Sequence, residues 1–204
     1  MQDRYVADVG DFGKYGLLRC LTGVTSNPKK PKLKLGVIWY LTPSCLGNAN
    51  DGKHLNYLDR EKEFKVCDPV LFQRLKKLRG EITLENDHSV RRPEFLRTEE
   101  NFIVTKPALE CIQNLKLFGG ASFYDKPLCA NTDRVEWWKG ARGQLEEECK
   151  LIFMDPDNGL RVSYKGDDAC FISYSEETPG QKHIYIEEIK EVIEDWKASV
   201  VFYH

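Results

Sequence analysis

Apolar positions along the chain follow two rhythms. A continuous apolar run stands at Leu35-Gly36-Val37-Ile38-Trp39-Tyr40-Leu41, and strand-like runs recur at Ala121 to Tyr124, Leu151 to Met154 and Ser199 to Tyr203. The run from Leu35 to Leu41 predicts a strand buried on both faces, and the other three predict further strands. Between them apolar residues recur at helical spacing. Phe12 to Thr22 brings Phe12, Tyr15 and Leu18 onto one face, with Asp11 in the place of an N-cap. Pro69 to Leu78 carries proline in its first turn and apolar residues at Val70, Leu71, Phe72, Leu75 and Leu78. Ala108 to Phe118, Val135 to Cys149 and Ile184 to Trp196 complete the predicted helices, the last with Ile184, Ile186, Ile189, Val192, Ile193 and Trp196 inside and acids outside.

Polar punctuation divides these elements. Ser26-Asn27-Pro28-Lys29-Lys30-Pro31-Lys32 admits no regular element and reads as a surface loop. Gly80 to Glu100 is polar and charged, and reads as an insertion, a lid or an irregular excursion. Strands alternating with helices predict one α/β domain over 1–204 with a largely parallel sheet. The chain ends at His204 directly behind a strand-like run, which reads either as truncation or as the last strand of the sheet.

Composition narrows the class. The 204 residues are 41% hydrophobic and 11% aromatic, which suffices for a packed core and excludes a disordered chain. Lys and Arg total 30 against 32 Asp and Glu, a net charge of -2, so any nucleic-acid contact requires a local basic patch. Lys76, Lys77, Arg79, Arg91 and Arg92 are the residues that would form one. No apolar run approaches the roughly 20 residues of a membrane span, and the first residues, Met1-Gln2-Asp3-Arg4-Tyr5, contain no apolar signal core. The seven cysteines include no CxxC pair; together these features predict a cytoplasmic protein with free thiols.

The densest candidate chemistry is Leu151-Ile152-Phe153-Met154-Asp155-Pro156-Asp157-Asn158-Gly159-Leu160. An apolar strand delivers Asp155 at its carboxyl end, where open α/β sheets bind ligands. Pro156 stiffens the turn and Gly159 permits a positive φ. An ordinary turn built from turn-forming residues is the bland alternative. The segment resembles motif IV of class I methyltransferases acting on amino groups, Asp/Asn-Pro-Pro-aromatic. Asp155 and Pro156 match its first positions, while Asp157 stands for the second proline and Asn158 for the base-stacking aromatic. Gly10-Asp11-Phe12-Gly13-Lys14-Tyr15-Gly16-Leu17-Leu18-Arg19 is similar to the N-terminal helix of adenine N6-methyltransferases of large-subunit ribosomal RNA and of three-Cys-motif partner proteins, with Lys14 and Tyr15 at the matching positions.

The resemblance implies a Rossmann-like, methyltransferase-type three-layer sandwich, S-adenosylmethionine as cofactor and a nucleic-acid amino group as acceptor. Asp155, Pro156, Asp157 and Asn158 would form its catalytic segment, and Asp155 would orient the acceptor. Asp11, Lys14 and Tyr15 would lie on the cofactor side, with Gly47, Asp51, Gly52 and His54 from the loop behind the first strand. That loop has no GxGxxG and the chain has no GxxxxGK[ST], which removes a dinucleotide fingerprint and a P-loop.

Other chemistries remain open at this level. Asp155, Asp157 and Asp51 would suit Mg²⁺ or Mn²⁺ in a nuclease or phosphohydrolase, with His54 or His183 as base. No HExxH occurs and His54, His88, His183 and His204 show no ligand spacing, so no zinc site is expected. Trp137-Trp138 reads as core plus interface, or less readily as a platform for a base, and Cys45 as a minor nucleophile candidate. A non-catalytic binding protein on the same fold is the third reading. Oligomeric state is not legible.

Overall fold

The computed structural model describes residues 7–25, 27, 30–41, 54–85, 112–113, 116–129, 132–156, 159–161 and 183–203, with 79–85 described as backbone alone. The chain divides into two compact units, one from 32–42 and 120–204, the other from 2–31 and 43–119.

The first unit is α/β. Its four-stranded sheet contains β1 (Leu35–Ile38), β2 (Ser122–Tyr124), β3 (Leu151–Met154) and β6 (Ser199–Phe202), in the order β2-β1-β3-β6. Every neighbouring pair is parallel; Gly36 lies opposite Ser122 and Ile152, and Ile152 opposite Val200. A separate parallel pair joins β4 (Leu160–Arg161) to β5 (Ile184–Tyr185). Among the described residues this unit has helices α4 (Arg134–Leu145) and α5 (Ile186–Glu194).

The double burial predicted for the first strand holds, since every residue of β1 is buried; every residue of β3 is buried as well. Alternation sorts their side chains. Ile38, Ile152 and Met154 join a cluster with Trp137, Trp138, Ala141 and Leu145 of α4 and Val192 of α5, while Leu35, Val37, Leu151 and Phe153 are buried on the other face. Two glycines permit close approach. A Cβ on Gly36 would stand 2.7 Å from Ile152 Cδ1 and 3.1 Å from the Cys149 Cβ, and one on Gly140 would stand 2.5 Å from the Tyr124 hydroxyl.

The second unit is helical where described: α1 (Val9–Leu21), a 3-10 turn (Asn56–Asp59), α2 (Glu61–Phe64) and α3 (Pro69–Glu85). Phe12, Tyr57, Phe64 and Phe72 form an aromatic cluster with centroids 5.4 to 6.3 Å apart. Asp68 has two tasks. It caps α3 by accepting from Leu71 N at 3.0 Å, and it receives Arg19 Nε at 2.6 Å in a buried ion pair. Arg19 Nη1 also donates to the Leu117 carbonyl at 2.6 Å, so the guanidinium is matched on both sides.

Several boundaries move from their sequence positions. The N-cap of α1 is Asp8, not Asp11: Asp8 accepts from Asp11 N at 2.9 Å, and Asp11 turns back to accept from Ala7 N at 2.9 Å. The apolar pattern hid this because Val9, the first helical residue, is exposed. The first strand ends at Ile38, three residues early, because Tyr40 takes a left-handed φ of 48°. The helix expected to end at Leu78 runs to Glu85, so residues 80–85 are helical, not irregular; 86–100 lie outside the described residues. Ile184 and Tyr185 belong to β5, not to the helix. Most of the predicted helix 108–118 lies outside the described residues, and 116–118 form a turn.

Overpacking at the β1–β3 register gives a direct check. Gly36→Ala is expected to cost about 1–3 kcal/mol, read as a lower urea midpoint with an unchanged slope. Asp68→Ala, which strips the counter-charge from buried Arg19 and the cap from α3, should cost about 3–5 kcal/mol.

Candidate functional site

Strand order reverses between β1 and β3. The connection after β1 leads to β2 on one side of it, whereas β3 and β6 lie on the other side. Chain segments leaving β1 and β3 therefore diverge, and in open α/β sheets ligands enter where the order reverses, beyond the carboxyl ends. Asp155 and Pro156 follow β3 at this point and both are buried. Asp155 N donates to the Ile38 carbonyl at 3.2 Å, which continues the ladder by one step and fixes Asp155 beside the exit of β1. Its side chain is only 3% exposed. Gly159, just beyond, has a φ of 76°, the left-handed turn its residue type permits.

The exit of β1 is strained and strongly held. Left-handed backbone is rare for a bulky residue and costs on the order of 1–3 kcal/mol. Tyr40 is completely buried in that conformation, and its hydroxyl donates to Glu188 Oε2 at 3.0 Å. Glu188, 1% exposed, comes from the first turn of α5. Its carboxylate also accepts Tyr185 N at 3.1 Å and the Arg134 guanidinium at 2.7 Å and 2.8 Å. Arg134, the first residue of α4, lies over the rings of Tyr40, Trp137 and Tyr185 at 4.9, 4.9 and 5.3 Å. Its Nη2 reaches the His183 carbonyl at 3.0 Å. Burial, then the Glu188 charge, push the Tyr40 hydroxyl well above its ordinary pKa. Burial opposes the Arg134 charge, but bonding and attraction to Glu188 outweigh it and raise its pKa.

Asp125 was missed by the sequence reading. It follows β2 immediately, at the same edge of the sheet, and is exposed. The signal was present, an acid directly behind an apolar run, as at Asp155. An exposed carboxylate there is suited to accept hydrogen bonds from ribose hydroxyls.

The second unit gathers part of the predicted cofactor side. Lys14 Nζ pairs with Asp11 Oδ1 at 2.9 Å on α1, and Val9 N donates to the His54 carbonyl at 3.1 Å, which sets the His54 backbone against the start of that helix. Tyr15 is fully buried, edge-on to Phe118 at 5.5 Å. Gly47, Asp51, Gly52, Asp157, Asn158, Cys45, His88, Arg91, Arg92 and His204 lie outside the described residues.

The remaining candidates resolve into structure. Trp137 and Trp138 are buried, so neither ring is a platform for a base; Trp138 stacks on Trp196 at 5.3 Å and donates Nε1 to Glu191 at 2.9 Å. Of the basic patch, Lys76 lies on exposed α3 surface, pairing with Glu61 at 3.3 Å. Among the described residues no three His, Cys, Asp or Glu side chains gather as a metal site, and no helix is long and apolar enough to cross a membrane. Cys20, Cys67, Cys129 and Cys149 are free thiols. The chain matches no family model, no curated protein and no solved structure.

Two substitutions separate charge from hydroxyl at the β1 exit. Glu188→Ala leaves the largely covered Arg134 without its counter-charge and should cost about 3 kcal/mol, the low end for a buried pair, whereas Tyr40→Phe should cost about 1 kcal/mol near neutral pH. The Tyr40 pKa is raised in the fold, so above about pH 10 the unfolded chain loses this proton while the folded chain keeps it, and stability falls as pH rises. Chemical denaturation from pH 9 to 11 should therefore show a shallower fall for Tyr40→Phe than for the wild type.

Proposed function

We propose that the chain is a methyltransferase-like protein that binds S-adenosylmethionine beyond the carboxyl ends of β1 and β3 and methylates an amino group of a nucleic acid. One observation carries this reading. A buried Asp-Pro pair leaves β3 beside the exit of β1, at the reversal of strand order. The residue types fit the cofactor: Asp125 offers an exposed carboxylate to ribose hydroxyls, and Asp155 offers an acceptor in a site shielded from water.

S-adenosylmethionine, when bound, supplies an electrophilic methyl group on a sulfonium sulfur. The chain's own contribution is orientation. Asp155 accepts a hydrogen bond from the N–H of the target amino group and so aims the nitrogen lone pair. Its burial removes competing water and strengthens that bond. Pro156 and the ladder bond from Asp155 N to Ile38 fix the backbone that carries the carboxylate. The Tyr40–Glu188–Arg134 network holds the exit of β1.

Calorimetry and thermal denaturation with S-adenosylmethionine test the proposal. Ligand at 100 times its dissociation constant should stabilise the fold by about 2.7 kcal/mol. Asp125→Ala should weaken that binding, while Asp155→Ala, which leaves no acceptor for the target N–H, should retain it and lose methyl transfer to a nucleic-acid substrate. No binding of S-adenosylmethionine, with stabilisation by Mg²⁺ that Asp155→Asn removes, would overturn the reading in favour of a metal-dependent nuclease or phosphohydrolase.

A further inference from the structure

Two exposed thiols at the joint of α1 and α3 carry an inference independent of the cofactor site. The contacts between these helices run in opposite senses along the chain. Phe12 meets Phe72 with ring centroids 6.3 Å apart. One turn on, the Cβ position of Gly16 lies 3.8 Å from Leu71 Cδ2. Beyond that, Arg19 Nε meets Asp68 Oδ2 at 2.6 Å. Higher numbers in α1 thus meet lower numbers in α3, so the two helices are antiparallel, and Gly16, without a side chain, lets them approach closely. Cys20 stands one turn beyond Gly16 on the same face of α1, and Cys67 stands four residues before Leu71, directly ahead of the Asp68 cap. The register therefore brings Cys20 opposite Cys67, beside the buried ion pair that clamps the two segments together.

Both thiols are free and exposed, whereas Cys129 is half-buried and Cys149 buried. Reactive cysteines are thiolates open to solvent, and Cys149 is the contrary case, since burial pushes its thiol up. Cys67 lies in the turn between α2 and α3, outside both helices, and its thiol makes a long, weak bond to the Glu63 carbonyl at 4.0 Å. A turn adjusts to the Cα separation of about 4.4–6.8 Å that a disulfide needs far more readily than a helix does.

We propose that Cys20 and Cys67 form a reversible dithiol–disulfide site that oxidised glutathione closes. The thiolate of one cysteine attacks a sulfur of the glutathione disulfide and expels one glutathione thiolate. The thiolate of the other then attacks the protein sulfur of the mixed disulfide and expels the second. The S–S bond of glutathione is exchanged for one in the protein. The two protons and two electrons given up by the protein thiols leave with two molecules of reduced glutathione. The new bond joins the end of α1 to the entry of α3, within the 49-residue separation that Arg19 and Asp68 already close. Closing so long a loop restricts the unfolded chain, so oxidation stabilises the helical unit. In a reducing compartment the thiols persist, and the bond forms as the glutathione pool is oxidised.

The test is incubation of the reduced, folded protein at rising ratios of oxidised to reduced glutathione, then alkylation and tryptic mass mapping. Peptides 20–29 and 66–74 should appear cross-linked, lighter by two hydrogens than their sum, and should part again with dithiothreitol. The oxidised wild type should have a higher urea midpoint than the reduced protein. Cys20→Ser should leave Cys67 as a mixed disulfide with glutathione, and Cys67→Ser should do the converse; oxidant should raise the midpoint of neither. Both residues are exposed, so circular dichroism of the two variants should match the wild type. Stable mixed disulfides with glutathione at both positions of the wild type would overturn the assignment. So would pairing of either thiol with a different cysteine or a second molecule, or a cross-link that forms only in urea.

Discussion

A single buried carboxylate joins three separate parts of the α/β unit. Glu188 binds the guanidinium at the start of α4, the backbone at the start of its own helix and the hydroxyl at the exit of β1. None of these partners is independent of the others. Arg134 is tolerable away from water only because Glu188 neutralises it and aromatic rings cover its faces. Tyr40 tolerates left-handed backbone because its side chain is anchored at both ring and hydroxyl. The strain and its restraint lie at the reversal of strand order.

The two units solve the problem of a buried charge in the same way. Asp68 in the helical unit caps α3 and pairs with Arg19, as Glu188 serves both α5 and Arg134. In each case one acid satisfies a helix terminus and an arginine together. The arrangement ties local helix geometry to a contact distant in sequence, 49 residues for Arg19–Asp68 and 54 for Arg134–Glu188. Loss of either acid would strand a buried cation and open a helix end at once.

The strands were legible because a strand buried on both faces leaves a continuous apolar run, as at Leu35–Ile38 and Leu151–Met154. Helix α3 was legible from Pro69 and its apolar spacing, though its final turns are too polar to show the period. Strands β4 and β5, two residues each, are too short to leave any period. Asp155 could be found because its position relative to a strand is a local property. The Arg134–Glu188 pair could not, since nothing local distinguishes either residue from a surface charge. Asp11 was misplaced for the opposite reason, two acids three residues apart being equally good caps by type.

The parallel sheet has a consequence for synthesis. Strand β1 lies between β2 and β3, whose residues begin at 122 and 151. As the chain emerges from the ribosome, β1 has left the exit tunnel long before its first strand neighbour exists. At about 5–20 residues per second, the interval before residue 122 is added is several seconds or more. Through that wait the run around Val37, Ile38 and Trp39 has no sheet to enter. Its exposure on the nascent chain is the price of a topology in which a central strand is made well before either of its neighbours.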